Sequence, residues 1–163
     1  KHGIESGIEK GKESAQNIQH DKLKGIRILL VEDNEFNQIV AVDTLESLID
    51  GVQIEVAGNG KIGVEMIGTS KFDVVLMDVQ MPEMDGYEAT RFVRSQMLEP
   101  LNKTKIIAMT ASATKEEVAR CFAAGMDDFI SKPFDPDDLI LKISGMILGF
   151  CETNSSSVNT SPH

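Results

Sequence analysis

The chain has 163 residues, the length of one typical domain, with 41% apolar and 26% charged residues. Its formal charge of -10, from 26 acidic against 16 basic residues, argues against nucleic acid or an anionic membrane surface as the main partner, because phosphate contacts need clustered Lys and Arg. No run approaches the roughly 18 uninterrupted apolar residues of a membrane helix, so no direct membrane insertion of this segment is expected. No secretory signal opens the chain, and it starts at Lys1 without an initiator Met, which points to an excerpt of a longer protein. Cys121 and Cys151 have neither metal-ligand spacing nor a disulfide-framework count, and they read as reduced thiols of a cytoplasmic protein.

In chain order, residues 1–24 are polar and read as a linker, with a short helix over Glu13 to Gln19 as the alternative. Residues 25–150 read as one folded domain, and residues 151–163 as a disordered Ser/Thr/Asn tail. The Asn154 and Asn159 glycosylation patterns in that tail carry no weight in a cytoplasmic protein. Apolar, β-branched runs bounded by Gly, Asp, Asn or Pro mark strands at Ile26 to Val31, Val52 to Ala57, Phe72 to Met77, Lys105 to Thr110 and Asp128 to Ser131. The middle run is apolar at every position from Val74 to Met77, as in a parallel strand buried on both faces. Helical spacing fills the gaps. It shows in the stripe Ile39, Val42, Leu45, Leu48 and Ile49, then in Ile62 to Met66, Tyr87 to Met97, Val118 to Ala124 and Leu139 to Leu148. Five strands alternating with five helices predict an α/β fold, a doubly wound five-stranded parallel sheet of order 2-1-3-4-5.

Right-handed crossovers place every strand C-terminus on one edge. Glu32 and Asp33, Asp78, Thr110 and Lys132 then converge on one crevice. Two like charges about 5 Å apart repel by about 3 kcal/mol at an effective dielectric of about 20, so three carboxylates together should raise a pKa or recruit a cation. Oxygen ligands with room for water suit Mg²⁺. A carboxylate beside Mg²⁺ can act as a nucleophile toward phosphorus, and Lys132 would neutralise charge while Thr110 donated to a phosphoryl oxygen. The plainer reading is helix capping, by Asp33 or Asn34 before the first helix and by Asp85 before the third.

Four segments carry a resemblance: Leu30 to Asn37 (LVEDNEFN), Val75 to Ala89 (VLMDVQMPEMDGYEA), Ile107 to Ala111 (IAMTA) and Gly125 to Phe134 (GMDDFISKPF). In order and spacing they resemble the receiver domain of two-component response regulators, over about Gly25 to Gly149. The resemblance implies the flavodoxin-like fold and an Asp78 that accepts a phosphoryl group from a histidine kinase or histidine phosphotransfer protein. It implies Mg²⁺ held by Asp33, by Glu32 through water, by Asp78 and by the backbone oxygen of Gln80. It further implies Thr110 as switch hydroxyl, Lys132 as phosphate-pairing lysine, Phe129 as switch aromatic and a cis Lys132–Pro133 bond. Such a domain is a self-phosphorylating acceptor rather than a turnover enzyme. The Val-Glu-Asp-Asn form and the loop from Met81 to Gly86 look most like the receivers of hybrid histidine kinases. A stand-alone single-domain response regulator is the alternative, and no output domain is expected in so short a tail.

Gly58 to Gly63 (GNGKIG) matches a dinucleotide fingerprint, so a nucleotide-binding module competes. The expected strand order places that turn on an edge strand away from the crevice, and its glycines read as a turn and helix start. An aspartyl-phosphate phosphatase would need an acid two residues past the nucleophile, where Gln80 stands. His2, His20 and His163 all fall in the tails, so the chain itself is not the kinase module. Met77, Met81, Met84, Met109 and Met126, the stripe Ile140, Ile143, Met146, Ile147 and Phe150, and Cys121 read as packing.

Overall fold

A computed structural model describes residues 22–149. The expectations for Glu13 to Gln19, His2, His20, His163, Phe150, Cys151 and the tail lie outside the described residues. Strands β1 (Arg27–Val31), β2 (Gln53–Ala57), β3 (Val74–Asp78), β4 (Ile106–Thr110) and β5 (Asp128–Ser131) alternate with helices α1 (Glu35–Leu48), α2 (Gly60–Thr69), α3 (Gly86–Gln96), α4 (Lys115–Ala124) and α5 (Pro136–Leu148). All strand pairs are parallel, in the order β2-β1-β3-β4-β5. Both the element order and the strand order match the expectation from sequence.

The central strands are apolar up to their last residues, Asp78 and Thr110, because both faces are covered. Every residue of β3 and β4 is buried. One face packs Leu30, Leu76 and Met109 against Ala41 and Leu45 of α1 and Leu139 and Ile143 of α5. The other packs Val31, Met77 and Ala108 against Val64 and Ile67 of α2, Tyr87 and Val93 of α3, and Cys121 of α4. Leu23 lies inside the stretch read as linker, yet it is 1% exposed and packs in the first of these clusters. The expected α1 stripe packs in this cluster through Val42, Leu45, Leu48 and Ile49, and only Ile39 departs from it. Ile39 is 60% exposed, because it sits two residues, about 200° around the helix, from buried Ala41.

The helix starts are set by side-chain caps. Asn34, Asn59, Asp85, Thr114 and Asp135 each accept from a backbone N–H in the first turn. The capping alternative therefore holds for Asp85, but at α1 the cap is Asn34, which leaves Asp33 free of that duty. Register sets the functional edge: Val31 lies beside Met77, Asp78 beside Met109, and Thr110 beside Ser131. The residues just past these positions are 32–33, 79–80, 111 and 132, all at the C-terminal edge of the sheet.

Candidate functional site

A cleft of about 260 Å³ opens at that edge, lined by Glu32, Asp33, Asn37, Asp78, Gln80 and Lys132 among others. Glu32, Asp33 and Asp78 each offer a carboxylate oxygen within 4.8 Å of the others. Glu32 and Asp78 are buried, whereas Asp33 is exposed. Lys132 Nζ lies 2.7 Å from Glu32 Oε2 and 3.1 Å from Asp78 Oδ2, so one ammonium is shared between two acids. Glu32 is fixed further by the Asn34 N–H at 3.2 Å. Its own carbonyl accepts from Gln38 Nε2 at 2.7 Å. Asp78 Oδ1 accepts from the Gln80 N–H at 3.2 Å.

Burial, followed by the neighbouring Glu32 charge, pushes the Asp78 carboxyl up from 3.8 to about 6, and Lys132 only partly offsets this. Burial acts on Glu32 in the same sense, but the Lys132 hydrogen bond and charge outweigh it and hold Glu32 below its usual range. Burial works against the Lys132 charge too, and the two acids overcome it, so the lysine stays protonated. Three acids against one lysine leave the cleft with an excess of negative charge. Their hard oxygens, one of them exposed, fit a small divalent cation such as Mg²⁺ that keeps several waters.

Thr110 is buried next to this cleft, but its hydroxyl is turned to the following loop. It donates to the Ser112 carbonyl at 2.8 Å and accepts from the Ser112 N–H at 3.1 Å. The Lys132–Pro133 bond is cis, as expected. Gly86 starts α3 with its backbone packed on the end of β3, where a Cβ would overlap the Asp78 carbonyl oxygen.

The family model described as "Response regulator receiver domain" matches residues 28–144. The chain belongs to that family. A two-component response regulator of Oryza sativa subsp. japonica is 40% identical over 118 residues, 71% of this chain and 90% of the relative. Histidine kinase 5 of Arabidopsis thaliana is 39% identical over 131 residues, 66% of this chain. The chain spans only 14% of the length of that kinase relative. Hybrid signal transduction histidine kinases of Dictyostelium discoideum are also among its relatives. Among solved structures, the receiver domain of a sensor histidine kinase from Pseudomonas aeruginosa PAO1, with magnesium coordinated in its active site cleft, is 38% identical with a TM-score of 0.68. That match covers 76% of this chain and 98% of that one. A chain in the co-crystal of the Saccharomyces cerevisiae histidine phosphotransfer signaling protein and the receiver of its downstream response regulator is 26% identical, with a TM-score of 0.66. That match covers 74% of this chain and 88% of that one.

Within this receiver, the competing glycine fingerprint has a packing explanation. A Cβ at Gly60 would overlap the Met84 carbonyl, and one at Gly63 would come 2.8 Å from Val31 Cγ2. The glycines let α2 lie close on β1 and on the loop after β3. Phe129 on β5 is half-buried, edge-on to Phe122 of α4 with centroids 6.4 Å apart, and Lys142 of α5 lies 4.2 Å over its ring. Sequence pattern gave no sign of the Lys142 contact, which the docking of α5 creates. Cys121 is fully buried, and burial pushes its thiol up, as suits a packing residue rather than a reactive one. Among the described residues, no helix is long and apolar enough to cross a membrane.

Proposed function

We propose that this receiver takes a phosphoryl group onto Asp78 from a phosphohistidine on a histidine kinase or histidine phosphotransfer protein. The observation that carries the reading is the buried Asp78 carboxylate held between Lys132 and two further acids at the sheet edge. An Asp78 oxygen attacks phosphorus, a P–O bond forms, and the P–N bond breaks with its electron pair kept by the departing imidazole. The Gln80 N–H and Lys132 fix the carboxylate for in-line attack, and Lys132 pairs with the incoming phosphoryl oxygens. Thr110 gives up its bond to the Ser112 carbonyl and donates to the phosphoryl group, and Phe129 takes up the space this movement opens. Glu32, Asp33, Asp78 and the Gln80 backbone oxygen are the residues that would hold Mg²⁺, which when bound supplies neutralisation of the transferring charge.

The parent we propose is a hybrid sensor histidine kinase carrying this receiver toward its C-terminus, in the cytoplasm, with any membrane attachment elsewhere in that parent. The kinase relatives, of which this chain matches a small part, support it. The rice response regulator, matched over 90% of its length, keeps a stand-alone regulator as the second reading. Intact-mass measurement after exposure to a phosphohistidine donor or acetyl phosphate with Mg²⁺ tests the acceptor assignment. One phosphate is expected on the parent and none on Asp78→Asn. A full phosphate on Asp78→Asn would overturn it.

A further inference from the structure

Tyr87 is the single tyrosine of a chain that has no tryptophan. It lies in the first turn of α3, 3% exposed, and its hydroxyl donates to the Glu117 carboxylate on α4. The Arg120 guanidinium, one turn further along α4, lies 4.5 Å over the Tyr87 ring. Burial and then the Glu117 hydrogen bond hold the phenol well above its ordinary range, so it is a protonated donor at neutral pH. Tyr87 also follows Gly86, whose backbone rests on the Asp78 carbonyl and whose N–H donates to the Val79 carbonyl at 3.2 Å. The tyrosine is thus carried on backbone packed against the proposed acceptor.

Helix α4 hangs from the opposite side of the same site. Thr110 and Ser112 exchange hydrogen bonds, and Thr114 caps α4 two residues later. The first turn of α4 is therefore held from β4 and, through Glu117, from α3. A Thr110 hydroxyl that turns to a phosphoryl group must release the Ser112 carbonyl, and the segment it releases leads directly into α4. Tyr87 is anchored on the other side, on α3, whose Gly86 backbone packs closely against the Asp78 carbonyl. The cavity of about 470 Å³ between the loop after β3 and α4, lined by Gln80, Pro82, Tyr87 and Arg120 among others, gives the helix turn room to shift.

We propose that Tyr87, Glu117 and Arg120 form a latch that holds the first turn of α4 in its resting position and that occupation of Asp78 releases. Tyr87 is a positioning residue in this role, and the proposal rests on the acceptor reading above. A hydrogen bond from a buried phenol to a carboxylate is among the stronger kinds, so its loss on switching opposes the switch. Deleting the hydroxyl removes that opposition and favours the occupied state.

The test uses the whole 163-residue chain and beryllofluoride, a mimic of the aspartyl phosphate, with Mg²⁺. Calorimetric titration gives its affinity for the parent, Tyr87→Phe, Glu117→Ala, the double variant and Glu117→Gln. Tyr87→Phe and Glu117→Ala should each bind about 5-fold tighter or more, the low end of typical couplings, and the double variant no tighter than either. Glu117→Gln keeps an acceptor for the phenol but not its charge, and should fall between the parent and Glu117→Ala. Carboxylate contact quenches phenol emission, so Tyr87 fluorescence in the parent should rise on binding. Binding with unchanged emission and equal affinities would overturn the latch while leaving the acceptor reading intact. No binding to the parent would overturn the acceptor reading, and the latch with it.

Discussion

Replacing Asp78 by Asn should make the domain more stable near neutral pH in the absence of divalent ions. Folding raises the Asp78 carboxyl from 3.8 to about 6, so the folded state prefers its neutral form. Stability from this group is complete below its ordinary value and is lost as pH rises through about 6. The loss amounts to about 3 kcal/mol, at about 1.4 kcal/mol for each pH unit, and no screening discount applies because Asp78 is only 4% exposed. Glu32 runs the other way: folding lowers its pKa, so its contribution is present above its ordinary 4.5 and is lost as pH falls. The difference between parent and variant therefore reports the Asp78 charge together with its effect on Glu32, which shares Lys132 with it. Asn fills the same space without the charge. Thermal unfolding in EDTA should show Asp78→Asn melting roughly 10 °C higher near pH 8, with the gap closing toward about pH 4. Saturating Mg²⁺ should shrink the gap, since an ion at about 100 times its dissociation constant stabilises by about 2.7 kcal/mol and the parent binds it better. A variant no more stable than the parent near pH 8, or a gap that persists to low pH, would refute the reasoning.

Asp33→Ala should abolish most of the Mg²⁺ dependence of phosphorylation and raise the melting temperature in EDTA, because it removes one of three clustered acids; a marked loss of stability in EDTA would mean that Asp33 is structural. Gly86→Ala should lower stability by about 1–3 kcal/mol and slow phosphorylation, as the new methyl meets the Asp78 carbonyl; thermal melts and initial labelling rates together check it. Thr110→Ala should still be phosphorylated but should weaken the response at Phe129, read as ring and amide NMR shifts with and without beryllofluoride; equal responses would show that the switch runs through Lys132 and its loop instead.

Most of the fold was legible because a parallel sheet buried on both faces imposes uninterrupted apolar runs such as Val74 to Met77. The convergence of Glu32, Asp33, Asp78 and Lys132 was legible too, since strand ends in register must share an edge. At α1 the stripe found the buried face through Val42, Leu45, Leu48 and Ile49, and it failed only at its first member, Ile39, which is 60% exposed. Contacts made by single side chains across the fold left no trace. Arg94 donates to the carbonyls of Gly125, Asn102 and Thr104 and to Asp127, partners that the docking of α3 brings together. Tyr87 meeting Glu117, 30 residues away, is of the same kind. Leu23 fell on the wrong side of the expected boundary because one apolar residue in a polar stretch has no period to betray its burial.

The division of Lys132 between two acids bears on how the site would respond once occupied. At rest the ammonium is nearer Glu32, at 2.7 Å, than Asp78, at 3.1 Å. A phosphoryl group on Asp78 replaces the single carboxylate charge by about two, a net gain of about one negative charge, and brings strong acceptor oxygens, which draws Lys132 toward residue 78. Glu32 is 2% exposed and would then lose the partner that offsets its burial. A buried carboxylate left unpaired must take up a proton or gain another cation. A divalent ion held between Glu32 and Asp33 answers that need by the second route. Phosphoryl transfer and ion binding are therefore expected to be mutually reinforcing through Lys132, not merely simultaneous. Lys132→Ala separates the two effects. It should strengthen Mg²⁺ binding to the unphosphorylated domain, because it removes a competing positive charge, while weakening the gain in Mg²⁺ affinity that beryllofluoride brings to the parent. Calorimetric titrations of Mg²⁺ with and without beryllofluoride measure both, and an undiminished gain in Lys132→Ala would show that the lysine does not carry the coupling.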